Sequence, residues 1–143
     1  MPPPCVGRHS TGVPRNGRND TCTAGAGTLI LEFGVLSRLT NDPIFEAVAR
    51  RALLALWSYR DNRTGLVGST LDMQTCKWLD QTSGLGAGVD SFYEYIYKAY
   101  VLFGQKDYAK LVNDAFAGMF KQVCEANQVW LRSWSCAGWR RVV

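Results

Sequence analysis

Apolar residues at helical spacing recur in this chain in two adjoining pairs of stripes, each pair joined by a short breaker. Leu29, Phe33, Leu36 and Leu39 fall at i, i+4, i+7 and i+10, which predicts a helix from Thr28 to Thr40. Asn41-Asp42-Pro43 stops it. Asp42 can cap the next helix with Pro43 at its first position, and Phe45, Val48, Ala52, Leu53 and Leu56 carry the stripe to about Trp57. The second pair runs from Ser91 to Phe103, ended by Gly104, and from Asp107 to about Cys124, with Leu111, Ala115, Met119 and Val123 on one face. Ser91 to Phe103 is aromatic on every side, so little of it should meet water. Between the pairs, Asp61 to Gly65 reads as a turn and Leu66 to Trp78 as a small irregular hairpin. The expected fold is all-α, about two helix pairs plus a small β-hairpin.

That pattern occupies residues 21–125. Residues 1–20, rich in Pro, Gly, Arg and Asn, read as an irregular N-terminal segment. Residues 126–143 hold Trp130, Trp134 and Trp139 in no consistent period, so this tail is not expected to belong to the fold. At 143 residues one domain is the ceiling.

Charge and cysteine content remove several classes of function. The formal charge is +4, but the excess lies in the flanks. Arg8, Arg15 and Arg18 face only Asp20 in the first segment, and Arg132, Arg140 and Arg141 are unopposed in the last. The folded middle is nearly balanced, which argues against nucleic acid and against an anionic membrane surface. Five cysteines, Cys5, Cys22, Cys76, Cys124 and Cys136, form no C-x-x-C pair, and His9 is the single histidine, so zinc is not expected. Cys76 has no histidine nearby to activate it as a nucleophile. No apolar run is long enough to span a bilayer, and Met1-Pro2-Pro3-Pro4 lacks the features of a secretory leader, which reads as a cytosolic chain or a fragment. Two N-x-T sequons, at Asn19 and Asn62, lie in turn-like segments and are glycosylation candidates if the chain enters the secretory pathway.

The chemistry concentrates in the run from Gly84 to Tyr95, where a glycine-dense loop delivers Asp90 and Glu94 onto an aromatic helix start. Aromatic faces stack on the apolar side of a sugar ring, while carboxylates accept its hydroxyls or move protons. Local roles compete with that reading. Ser91-x-x-Glu94 matches a capping box, and Glu94 can pair with Lys98 one turn on. Glu32 sits among the apolar neighbours Leu29, Val35 and Leu36 and needs a polar cavity or a partner, for which Arg38 and Arg50 are available. Tyr93, Tyr95, Tyr97 and Tyr100 form either a sugar platform or core packing. The glycines do not make a phosphate loop, since no Lys or Ser/Thr follows at the required spacing.

Thr21-Cys22-Thr23-Ala24-Gly25, Leu31-Glu32-Phe33, Leu36-Ser37-Arg38-Leu39-Thr40, Gly65-Leu66-Val67-Gly68 and Gly86-Ala87-Gly88-Val89-Asp90-Ser91-Phe92-Tyr93-Glu94-Tyr95 together resemble glycoside hydrolase family 47, the class I α-1,2-mannosidases. Within it, the Thr-Cys-Thr-Ala-Gly and Gly-Ala-Gly-Val-Asp-Ser forms are similar to the ER degradation-enhancing α-mannosidase-like branch. The resemblance covers about residues 10–124. It implies part of an (α/α)7 barrel, a calcium ion at the barrel floor, and inverting hydrolysis of terminal α-1,2-linked mannose. It assigns Asp90 as the base that activates water, with Glu94 and Glu32 among the acids lining the sugar pocket.

The family's general-acid glutamate lies in a Phe-Glu-x-x-Ile-Arg motif that this chain lacks, and the calcium-binding threonine belongs to later repeats, also absent. The expectation is a fragment of an ER-lumenal protein acting on high-mannose N-glycans of misfolded glycoproteins, inactive by itself. Membrane association of the parent is left open. The competing expectations are a glycan-binding, lectin-like module without catalysis and a structural helical-repeat piece.

Overall fold

The computed structural model describes residues 19–84 and 86–126. It is mostly helical, with one three-stranded antiparallel sheet. In chain order the elements are β1 (Asp20–Cys22), α1 (Thr23–Gly27), α2 (Ile30–Thr40), α3 (Ile44–Ser58), β2 (Thr70–Asp72), β3 (Trp78–Asp80), α4 (Asp90–Phe103) and α5 (Lys106–Ala126).

Both expected helix pairs form. Asn41 takes the left-handed conformation (φ 57°) between α2 and α3, and Asp42 accepts the Ile44 N–H at 2.9 Å, although α3 starts one residue later than expected, with Pro43 at the cap position and Ile44 first in the helix. Gly104, also left-handed, closes α4 by donating its N–H to the Tyr100 carbonyl at 2.9 Å. The α5 stripe is borne out at Leu111 and Ala115, which are buried, and at half-buried Met119; the Val123 and Cys124 side chains lie outside the description.

Three expectations are corrected. The buried face of α2 is Ile30, Gly34 and Ser37 rather than the Leu29 to Leu39 stripe, and Leu39 is 80% exposed. Small residues win that face because α2 is packed tightly on both sides. The Phe103 ring lies where a Gly34 side chain would stand, and the buried Ser37 hydroxyl accepts the Glu46 N–H at 2.8 Å. Second, the hairpin is two strands of a three-stranded sheet. The segment after Asn19 supplies β1, pairing Asp20 with Asp72 and Cys22 with Thr70, and continues directly into α1. Third, α4 is far from enclosed: Tyr97, Val101 and Leu102 are 50%, 64% and 57% exposed.

The core is shared by α2, α3, α4 and α5 with the segment that leads into β2, built on Ile30, Leu53, Leu56, Val67, Phe92, Ile96 and Tyr108. Burying each of the large apolar side chains contributes roughly 1.5–3 kcal/mol. Phe92 fixes the spacing of this core. Its ring lies 2.4 Å from where a Gly27 Cβ would stand, so α1 can rest on α4 only without a side chain at that position. Cys76, read from sequence as a thiol without an activating histidine, is disulfide-bonded and is therefore not a thiol. Cys22 is free and exposed, its sulfur accepting the Gly25 N–H at 3.2 Å.

Candidate functional site

The two sequence motifs richest in glycine meet in space. Thr23 donates its N–H to the Ser69 carbonyl at 3.0 Å and its buried hydroxyl to the Gly68 carbonyl at 2.6 Å, while Ala24 donates to the Gly88 carbonyl at 2.8 Å. The Thr21 to Gly25 segment thereby staples the loop before α4 to the sheet. Gly88 has φ +92°, a conformation L side chains rarely adopt, and the turn it makes sets Asp90 as the first residue of α4. The Asp90 N–H donates to the Gly86 carbonyl at 3.0 Å.

From there the helical repeat decides which side chains share a face. Asp90, Glu94, Tyr97, Lys98 and Val101 are all exposed and fall on one side of α4. Asp90 accepts the Ser91 N–H at 2.8 Å and the Ser91 hydroxyl at 3.4 Å, both through Oδ1, and has no ion pair among the described residues. Its second carboxylate oxygen makes no hydrogen bond among the described residues. Glu94 is paired with Lys98 at 2.5 Å, the two side chains about half exposed. The capping box expected of Ser91 and Glu94 does not form, because Val89 is the cap position and no side chain caps it. Glu94 has turned along the helix to its lysine instead.

Glu32 reaches this region from α2. Neither arginine proposed from sequence serves it: Arg38 bonds Glu46 at 2.8 Å, and Arg50 is taken by Asp107 and by Gln105 at 3.0 Å. Its partner is the Tyr95 hydroxyl, which donates to Glu32 Oε1 at 2.6 Å. That hydrogen bond, followed by desolvation and the charges of Glu32 and Glu94, pushes the Tyr95 phenol above its usual range. Tyr95 packs against the core, one of the two roles open to it from sequence, and its hydroxyl adds a donor role that the spacing did not signal. The tyrosine platform divides: Tyr93 is buried, its oxygen accepting the Val67 N–H at 3.4 Å, while Tyr97 stays open.

Beside the acid face lies a groove of about 440 Å³ between α4 and α5, lined by Asp90, Tyr93, Glu94, Tyr97, Phe116, Met119 and Phe120. Asp90 and Glu94 flank it on α4, but the surface it exposes is almost wholly apolar, from Tyr93, Tyr97, Phe116, Met119 and Phe120. Aromatic rings beside exposed carboxylates suit a sugar ring, and among the described residues no second carboxylate faces Asp90 from α5. Among the described residues no group of three or more acids, histidines or cysteines is placed to hold a metal ion. No described helix is long and apolar enough to cross a membrane.

Comparison with known proteins adds an independent line. The family model described as glycosyl hydrolase family 47 matches residues 4–137. The chain is 51% identical over 105 residues to alpha-mannosidase I MNS5 of Arabidopsis thaliana, covering 73% of this chain and 18% of that protein. It is 47% identical over 106 residues to the human ER degradation-enhancing alpha-mannosidase-like protein 3, covering 74% and 11% respectively. A mannosyl-oligosaccharide alpha-1,2-mannosidase of Coccidioides posadasii is 37% identical over 105 residues, 64% of this chain and 20% of its own length. The chain thus spans at most a fifth of these relatives.

Proposed function

The chain belongs to glycosyl hydrolase family 47, and on that premise we propose that it is part of an α-1,2-mannosidase-like protein that trims high-mannose N-glycans of misfolded glycoproteins in the ER lumen. The observation that carries the reading is the shared face of Asp90 and Glu94 beside an aromatic groove, with Asp90 free of any ion pair among the described residues. An unpaired carboxylate keeps a lone pair available for a proton, which a base requires.

In this reading Asp90 takes a proton from a water molecule, and the water oxygen attacks the anomeric carbon of a terminal mannose from the face opposite the departing oxygen. The configuration inverts as the glycosidic C–O bond breaks. Glu94 and Glu32 accept sugar hydroxyls, Glu94 steadied by Lys98 and Glu32 by Tyr95. The Tyr97 ring packs on the sugar. The leaving oxygen needs a proton from an acid outside the described residues. Calcium, which the resemblance implies for the family, would be held outside the described residues. The chain is read as an arc of an (α/α)7 barrel whose other repeats complete the site.

Two measurements test this. The 143-residue chain, incubated with a Man9-type glycan, should release no mannose; release would refute its dependence on further repeats. In a full-length family member carrying this segment, Asp90→Asn should lower trimming by about 10²–10⁴-fold. Normal trimming by that variant removes the assignment of Asp90 as base.

The apolar wall of the groove favours a second reading, a lectin-like module that holds the glycan without cleaving it. Titration of the chain with the same glycan, followed by Trp and Tyr fluorescence, should saturate in the binding reading. A purely structural piece gives no saturable response.

A further inference from the structure

We propose that Asn62 is the acceptor of an N-linked glycan, a modification that rests on the secretory-pathway reading above. The tripeptide Asn62-Arg63-Thr64 is presented by a turn built to project it. Asp61 Oδ1 accepts the Arg63 N–H at 2.9 Å and the Thr64 N–H at 2.7 Å, and Gly65 donates to the Asp61 carbonyl at 2.8 Å, so the main chain reverses around Asn62. The Asn62 side chain, at the tip, is exposed and makes no hydrogen bond among the described residues. It stands at the rim of a cleft of about 500 Å³ lined by Tyr59, Arg60, Trp78 and Gln81 among others, a mixed aromatic and polar surface against which the first sugars can rest. The base of the turn is anchored against α5, the Thr64 carbonyl lying 3.1 Å from where a Gly118 Cβ would stand. A glycan at the tip therefore displaces no packed element.

Asn19 begins the other N-x-T sequon, Asn19-Asp20-Thr21, in a different setting. Its Oδ1 accepts from Gln74 Nε2 at 3.1 Å and its carbonyl from the Met73 N–H at 2.8 Å, which tie it to the loop between β2 and β3. It serves as the internal comparison.

In the transfer, the Asn62 side-chain nitrogen attacks the anomeric carbon of an oligosaccharide carried on a lipid pyrophosphate. The N–C bond forms as the C–O bond to the pyrophosphate breaks; the pyrophosphate leaves with the electron pair, and the amide proton passes to a base of the transferase. The threonine hydroxyl at the third position belongs to the recognition.

The full chain is translated behind a cleavable secretory leader in the presence of microsomes, and its protease-protected fraction is compared with and without a peptide-N-glycosidase. The expected result is one mobility step that the glycosidase removes, retained in N19Q and T64S and lost in N62Q and T64A. A protected chain without that step, or a step that persists in N62Q, overturns the proposal. The leader delivers the chain whether or not the secretory reading holds, and that reading is tested separately by locating an untagged full-length parent in fractionated cells.

Discussion

At the scale of single residues, the pairing of Tyr95 with Glu32 and the packing at Gly27 make the sharpest demands. The Tyr95 hydroxyl is held in its protonated form chiefly by donating to Glu32. Glu32→Gln removes that charge and should bring the Tyr95 titration back toward about 10, the ordinary tyrosine value, read as the tyrosinate absorbance against pH. No change in the titration would mean that the pair is absent in solution. The sign for stability follows: a phenol whose folded pKa is raised contributes stability that is complete below about pH 10 and is lost as pH rises through the folded value. Tyr95→Phe should therefore flatten part of the alkaline fall. Gly27→Ala drives a methyl into the Phe92 ring, with Leu56 Cδ1 2.9 Å away on the other side. Overpacking of this kind costs about 1–3 kcal/mol, to be measured by denaturant unfolding. Neither feature could be read from the chain, because a Tyr–Glu separation of 63 residues and a glycine facing an aromatic ring are tertiary coincidences.

Helices and strands were more legible than their faces. Asp42, Pro43, Gly104 and the Asp61 turn act through neighbours within four residues, so their sequence signals translate directly into main-chain geometry. The buried side of α2 did not, since Leu29 and Leu39 obey the helical period yet lie exposed while Gly34 and Ser37 are inside. Periodicity finds a helix; which stripe is covered depends on what packs there. The same holds for α4, whose Tyr97, Val101 and Leu102 are open apolar positions. Exposed apolar surface of this kind drives association. The paired substitutions Val101→Lys and Leu102→Lys should lower self-association in sedimentation experiments while leaving helical circular dichroism unchanged. Unaltered association would place the sticky surface elsewhere.

Across the described residues as a whole, charge is balanced locally rather than as a field. Asp61, Asp72 and Asp80 are each held below the usual carboxylate range, first by a main-chain N–H, from Thr64, Thr75 and Thr82 respectively. Carboxylates depressed in the folded state contribute stability that is present above about pH 3.9 and lost as pH falls through their folded values. Thermal melts should therefore fall on acidification below about pH 4, and less so in the Asp61→Asn variant, whose turn keeps an acceptor but loses the titration. Burial likewise raises the Tyr93 and Tyr108 phenols, which adds to the alkaline limb argued for Tyr95. The sequence by itself determined the helix pairs, the turns, the glycine loop that starts α4 and the family, because those depend on short-range main-chain preferences and on motifs that read in order. Only the tertiary structure decided that β1 completes the sheet, that Glu32 belongs to Tyr95, and that Asp90 stands open beside an apolar wall. Each of these is a meeting of segments far apart in the chain, and it is fixed by which surfaces exclude water together rather than by any local spacing.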